Sequence, residues 1–290
     1  MEVAVLGALN IDILGTANVP FSSASSLPGT IKTALGGTGW NAARACALLG
    51  LETDFISVLA KDGYETAIRR QAQGFGVDLE RCRWDEGQNG CFLSVFDADG
   101  KRLASVNDMN FSRRMDVFFC EAAARALPED AVAVADCDLQ ADALAKFCER
   151  LPDAPLVVNC VSASKCMRVQ NILPRIHTLL LGRTEAERLT GYAGPERCAT
   201  ALLKLGLARV CVTMGAEGVL LADREEMRRL SETDARGAGA DAALTAALAA
   251  SLARGMDRDK TAKLLTAASA VAALSRETVN PELSRLKPFI

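Results

Sequence analysis

Several things are scarce in this chain, and each absence closes off a class of function. Histidine occurs once, at His177, with no ligand-like pattern around it. The ten cysteines, at 46, 82, 91, 120, 137, 148, 160, 166, 198 and 211, include no CxxC pair. A zinc site with ordinary Cys/His spacing is therefore not expected. Most of the cysteines sit in apolar runs such as Val210-Cys211-Val212. They read as small buried hydrophobes of a reducing compartment rather than as disulfide partners. Acidic and basic residues nearly balance, 36 against 33, for a net charge of -3. With no basic stripe, nothing in the charge pattern argues for nucleic acid. No apolar run reaches the roughly 18 residues of a membrane-spanning helix. Met1-Glu2-Val3-Ala4-Val5-Leu6-Gly7 has neither a basic segment nor a long apolar stretch of the targeting kind. The expectation is a soluble, cytoplasmic protein that engages neither nucleic acid nor membrane.

What is present is ordinary globular material. Half of the 290 residues are hydrophobic and 24% are charged, which suits one large core, or one core with a small appendage. Short apolar runs at 2–6, 54–59, 131–135, 156–159, 177–181 and 208–213 read as buried strands. Helical patterns lie between them, among them 40–49 and 64–75. This alternation predicts an α/β core with a mostly parallel sheet. Two segments break it. Residues 91–106 hold two β-rich runs around Asp97-Ala98-Asp99-Gly100, a hairpin signal. Residues 11–32 carry Pro20 and Pro28 and little helical pattern. Together they predict a small separate β-sheet, placed as a lid over a substrate. The core then comprises 1–11, 33–90 and 111–290, and the lid 12–32 and 91–110. From 241 to about 274, Ala, Leu, Ser and Thr dominate, which predicts two tightly packed helices broken near Gly255.

Four motifs could carry chemistry, and each alone also has a plain structural explanation. Gly237-Ala238-Gly239 precedes a helix, where backbone amides and the helix dipole can meet a phosphate; a helix-entry loop would need the same small residues. Gly36-Gly37-Thr38-Gly39-Trp40-Asn41 opens another helix and offers the Asn41 amide to a ligand hydroxyl; a tight turn explains it equally. Asn10-Ile11-Asp12 follows the first strand, where ligands of parallel sheets bind and a carboxylate can clamp two vicinal hydroxyls; an Asx turn is the simpler reading. Thr213-Met214-Gly215-Ala216-Glu217-Gly218 could admit a nucleotide against its backbone or could be a hairpin turn.

Taken in order along the chain, these motifs resemble the ribokinase-like (PfkB-type) kinase family. They read N-x-D, GG-x-G-x-N, T-x-G-x-x-G and, from Asp234 to Gly239, D-x-x-G-A-G. Within that family the chain is most similar to pseudouridine kinases. The residues that carry this are Leu27-Pro28-Gly29, Asn107-Asp108-Met109, Val161-Ser162-Ala163-Ser164-Lys165, and 173–179 leading to Glu185-Ala186-Glu187. Thr38 fits too, standing where sugar-specific ribokinases typically place a lysine. The resemblance implies a three-layer core with a β-sheet lid and an ATP-dependent transfer to a nucleoside or sugar hydroxyl. Pseudouridine, giving its 5′-phosphate, is the preferred substrate, with ribose or fructose as alternatives.

The resemblance also assigns roles. Asn10, Asp12 and Asn41 would hold the ribose hydroxyls, with Gly36, Gly37, Thr38, Asp108 and Met109 completing the substrate site. Thr213, Gly215, Gly218 and Asp234 would bind nucleotide. Gly237, Ala238 and Gly239 would form the anion hole. Glu185 would serve magnesium, and the family pattern adds a monovalent cation. Exposed edges of the lid sheet would pair between subunits as a homodimer.

The chain departs from the family at three places. An aspartate normally follows G-A-G directly as general base, but here the order is Gly239-Ala240-Asp241. Either Ala240 replaces the base or one residue is inserted and Asp241 serves. The stripe of Leu244, Leu248 and Leu252 suits insertion better. One helical step turns a side chain by about 100°, so the loop must absorb the extra residue. The family N-x-x-E is reduced to Glu185, with Gly182 in place of the Asn, and Ala235 stands where Thr usually follows the first Asp. A rival reading is thus a relative that binds nucleoside or nucleotide without efficient transfer. A dinucleotide-dependent oxidoreductase fares poorly, because no G-x-G-x-x-G follows the first strand.

Overall fold

The computed structural model describes residues 1–20, 22, 26–151, 153–230, 239–275 and 277–290. The chain begins β1 (Val3–Leu6), β2 (Asn10–Ala17), β3 (Gly29–Gly36), α1 (Thr38–Leu48), β4 (Thr53–Ile56), β5 (Val58–Ala60), α2 (Glu65–Phe75), β6 (Val77–Asp78), β7 (Arg83–Asp85), β8 (Gly90–Phe96) and β9 (Arg102–Asp108). It continues α3 (Val117–Arg125), β10 (Val132–Asp136), α4 (Ala141–Arg150), β11 (Leu156–Asn159), β12 (Thr178–Gly182), α5 (Arg183–Thr190), α6 (Pro195–Lys204), β13 (Arg209–Thr213), β14 (Val219–Asp223), β15 (Met227–Leu230), α7 (Ala240–Ala253) and α8 (Arg258–Ala273).

Nine strands form the central sheet in the order β15-β14-β13-β12-β11-β10-β1-β4-β6. From β6 to β13 every neighbouring pair is parallel, and the β13–β14 and β14–β15 pairs are antiparallel. The strands read as continuous apolar runs because both faces are covered. Successive side chains point to opposite faces: Val3, Val5, Val132, Val134 and Val157 join one core with α1, α7 and α8. Ala4, Leu6, Ala133, Ala135, Leu156 and Val158 join a second core with α3, α4 and α6. The result is three layers.

The run expected as one strand at 54–59 changes partner at Ser57. β6 offers β4 only two residues, so the chain beyond Ser57 pairs instead with β7. Of the 241–274 stretch, α7 is buried nearly all round, which its alanines permit by letting α1 and α8 approach closely. Gly255 breaks it at φ +56°, and Asp257 then caps α8 by accepting from Lys260 N–H. All ten cysteines are free, eight of them buried. Among the described residues no helix is long and apolar enough to cross a membrane.

A second, four-stranded sheet stands apart, in the order β3-β2-β8-β9. β2 and β3 pair antiparallel from Asn10 opposite Gly36 to Ala17 opposite Gly29. β8 lies parallel to β2, and the β8–β9 hairpin closes the sheet with an irregularity at Val95/Phe96. Its Asp97 carboxylate accepts from the backbone N–H of Asp99 and Lys101, and Gly100 takes φ +79°, the turn that this Asp-x-Asp-Gly sequence favours. Ile31 and Val106 are 78% and 67% exposed on this sheet.

Candidate functional site

Where the carboxyl end of β1 meets the second sheet, a cavity of about 940 Å³ opens. Asn10, Asp12, Gly37, Thr38, Asn41, Asp108 and Met109 line it. Thus the substrate residues expected from sequence converge, with Gly36 lying behind them. A Cβ on Gly36 would fall within 2.6 Å of Asp12 Cγ, so only glycine lets that carboxylate lie across β3. Gly37 starts α1 at φ +102°, a conformation that L side chains rarely adopt. The Asx turn that Asn10-Ile11-Asp12 allowed does not form, because β3 and β8 hold these residues extended between them.

The pieces of this wall are linked. Asn10 Nδ2 donates to Asp12 Oδ1 at 2.5 Å. Burial pushes the Asp12 carboxyl up, and the Asn10 hydrogen bond and the Arg44 charge pull it back. Asn41 Oδ1 accepts from Arg44 Nη2 at 2.5 Å. Trp40, fully buried, anchors α1 by an edge contact with Phe55 at 5.3 Å and an indole N–H to Gln71.

The opposite wall comes from the loops after β10 and β11, and supplies Asp138, Gln140, Val161, Lys165 and Arg168. Lys165 Nζ pairs with Asp138 Oδ1. Arg168 donates to the carbonyls of Cys137, Asp138 and Leu139 at 2.8, 3.0 and 2.9 Å, pinning the β10 loop. Val161 holds φ +63°, a strained state for a β-branched residue. Its N–H is fixed by Asn159 Oδ1 at 2.8 Å, and Asn159 in turn donates to Thr245. Val161 and Lys165 belong to a stretch that carries the family resemblance, whereas no motif in the sequence marks Asp138, Gln140 or Arg168. The available signal was their position just beyond the apolar runs that became β10 and β11.

A second cluster lies at the ends of β12 and β13. Thr213, Gly215 and Gly218 belong to the hairpin turn between β13 and β14, and Gly182 pairs with Thr213. Arg183 bridges this turn by an ion pair with Glu217 at 2.8 Å. Asp234, Gly237 and Ala238 lie outside the described residues. Gly239 precedes the first turn of α7. From Gly239 to Ser251 every residue is buried except Asp241. Ala240 faces the core at 1% exposure. Asp241 opens to solvent from a cleft crowded by protein, and that desolvation, with the Glu185 carboxylate nearby, pushes its carboxyl up. Asp241 therefore groups with Glu185, and it is not among the residues lining the cavity of Asp12.

A model of the pfkB family of carbohydrate kinases matches residues 1–285. The chain belongs to that family. As a pfkB-family member it is a sugar or nucleoside kinase, a phosphotransferase with a hydroxyl acceptor. It is 33% identical to a pseudouridine kinase of Escherichia coli, over 97% of this chain and 93% of that one. It is 26% identical to a guanosine-inosine kinase of Exiguobacterium acetylicum, over 82% and 84%. The fold of this kinase is that of ribokinase. It matches an Arabidopsis thaliana ribokinase, solved with ribose and ATP, at TM-score 0.77 over 100% of this chain and 99% of that one, with 21% identity.

Proposed function

We propose that this kinase uses ATP to phosphorylate the 5′-hydroxyl of a nucleoside, with pseudouridine the preferred substrate. The observation that carries this reading is the two-walled cavity. A hydroxyl clamp of Asp12 and Asn41 stands on one side and a polar, charged wall of Asp138, Lys165 and Arg168 on the other. A volume of about 940 Å³ exceeds what a pentose alone needs, and groups on the second wall can hydrogen-bond a base. The similarity to a pseudouridine kinase over almost the full length supports the same choice.

In this reading the ribose 5′-oxygen attacks the γ-phosphorus of ATP. The new O–P bond forms as the bond to the bridging oxygen of ADP breaks, and the 5′-hydroxyl proton passes to Asp241. A raised carboxyl suits that role, because a base is most effective when its pKa approaches the working pH. The amides of the Gly237-Ala238-Gly239 segment, which directly precedes α7 in sequence, receive the charge on the transferred phosphoryl group. Thr213, Gly215 and Gly218 flank the nucleotide, with Asp234. Magnesium commonly takes one or two carboxylates and completes its shell with water and phosphate. Glu185, with water and phosphate oxygens for the rest of the shell, would meet that need. When bound, the ion neutralises phosphate charge. The second sheet acts as the lid, and its exposed Ile31 and Val106 favour pairing with a second copy.

The test is a substrate panel of pseudouridine, uridine, guanosine, ribose and fructose, run on the wild type and on Lys165→Met. Pseudouridine should give the highest kcat/KM. Lys165→Met should raise the nucleoside KM about tenfold, as expected for one charge-assisted hydrogen bond, and leave ribose unchanged. Equal losses on ribose and pseudouridine would remove Lys165 from base recognition.

A further inference from the structure

Arg44 plays no part in the motifs that mark the family, yet it is the only charged side chain packed into the buried part of α1. It is 8% exposed, and burial pushes its guanidinium down to about 10, against the attraction of Glu277 and Asp12. It therefore remains charged near neutral pH. Its Nη2 donates to Asn41 Oδ1 at 2.5 Å and to Thr278 Oγ1 at 3.2 Å. Its flat face lies over the rings of Phe75 and Trp40, at 5.5 and 6.0 Å, contacts that offset part of its desolvation.

These contacts settle which way the Asn41 amide faces. A carboxamide has one acceptor end and one donor end. A guanidinium is only a donor, so it binds the oxygen and leaves the NH2 group to face the cavity. On the same wall, Asp12 presents an acceptor. A vicinal diol approaching this wall meets one donor and one acceptor side by side. Thr278, which braces Arg44, belongs to the segment that closes over Gly239. A Cβ on Gly239 would lie 2.9 Å from Thr278 O and 3.2 Å from Glu277 O. The hydroxyl clamp and the start of α7 thus share one support.

We infer that Arg44 is a positioning residue, which fixes Asn41 as the hydrogen-bond donor to one of the two vicinal ribose hydroxyls. This rests on the nucleoside reading above and names the residue that sets its selectivity for a ribose over a deoxyribose. The experiment measures kcat and KM for pseudouridine and for its 2′-deoxy and 3′-deoxy forms, in the wild type, Arg44→Met and Arg44→Lys.

In Arg44→Met, kcat/KM for pseudouridine should fall about tenfold, the effect of one misdirected hydrogen bond, mainly through KM. The deoxy form that lacks the hydroxyl met by Asn41 should change little, so one ribo-to-deoxy ratio collapses. Arg44→Lys, which keeps the charge but reaches fewer acceptors, should lie between, and it carries the test if Arg44→Met does not fold. In an Asn41→Ala background, Arg44→Met should leave the ratio unaltered. Equal losses on all three substrates, or an unchanged ratio, would overturn the assignment while leaving the kinase reading intact. A wild type indifferent to both hydroxyls would overturn the clamp and the assignment together.

Discussion

Glu185 occupies the space above Gly182: a Cβ on Gly182 would collide with Glu185 Oε2 and come within 3.3 Å of its Cδ. The family asparagine is thus absent at the place where this chain folds its glutamate back toward β13. Restoring the asparagine is therefore not a repair. The atom in the way is the free end of a rotatable side chain, so Gly182→Asn should fold, with Tm within about 2 °C of wild type. It should push Glu185 aside and shift the half-saturating magnesium concentration several-fold. Titrating magnesium against activity, alongside thermal melts, checks this. An unchanged magnesium dependence would detach Glu185 from the metal.

Asp241 is the one exposed residue on an otherwise buried stretch of α7, and its removal should separate binding from transfer. Asp241→Asn should lower kcat by about 10² to 10⁴, the usual loss of a general base, with nucleoside binding measured by calorimetry nearly intact. In the wild type, desolvation by the protein crowding its cleft, and then the Glu185 charge, raise the Asp241 carboxyl. Its base form is therefore depleted at acid pH, and kcat should climb as pH rises through that raised pKa. A kcat that does not change with pH across the acid range would remove Asp241 as the base.

Asp136, at the carboxyl end of β10, carries a buried Oδ2 with no hydrogen-bond partner among the described residues. Burial, and then the charge of Asp138, raise its carboxyl well above the ordinary range. A group raised in the folded state contributes stability below its unfolded pKa and loses it as pH rises through the folded one. Asp136→Asn keeps the oxygen that accepts from Asp138 N–H and removes the titration. Its Tm should match wild type only below the ordinary carboxyl pKa of about 4 and exceed it increasingly as pH rises from there. Parallel melts across that range read the gap directly.

The fold was legible wherever one periodicity dominated. The apolar runs that became β1, β10, β11, β12 and β13, and the helical pattern from Trp40, needed no tertiary information. Ser57 was not legible, because a change of strand partner depends on how short β6 is. At the site, the motifs taken together, through the family resemblance they carry, singled out Asn10, Asp12, Gly37, Thr38 and Asn41, which line one cavity. Arg44 stayed hidden because a lone arginine on a helix normally reads as solvated. Only folding sets it against Trp40, Phe75 and Thr278. Asp138 and Arg168 were hidden for a similar reason, since their role rests on two loops meeting after β10 and β11.

The central claim is that this chain transfers phosphate to a nucleoside rather than merely holding one. Mass and phosphorus-NMR analysis of the products from ATP, magnesium and pseudouridine tests it most directly. The account predicts pseudouridine 5′-phosphate and ADP in equal amounts. It would be contradicted if pseudouridine raises the melting temperature, as a bound ligand must, and yet neither product forms.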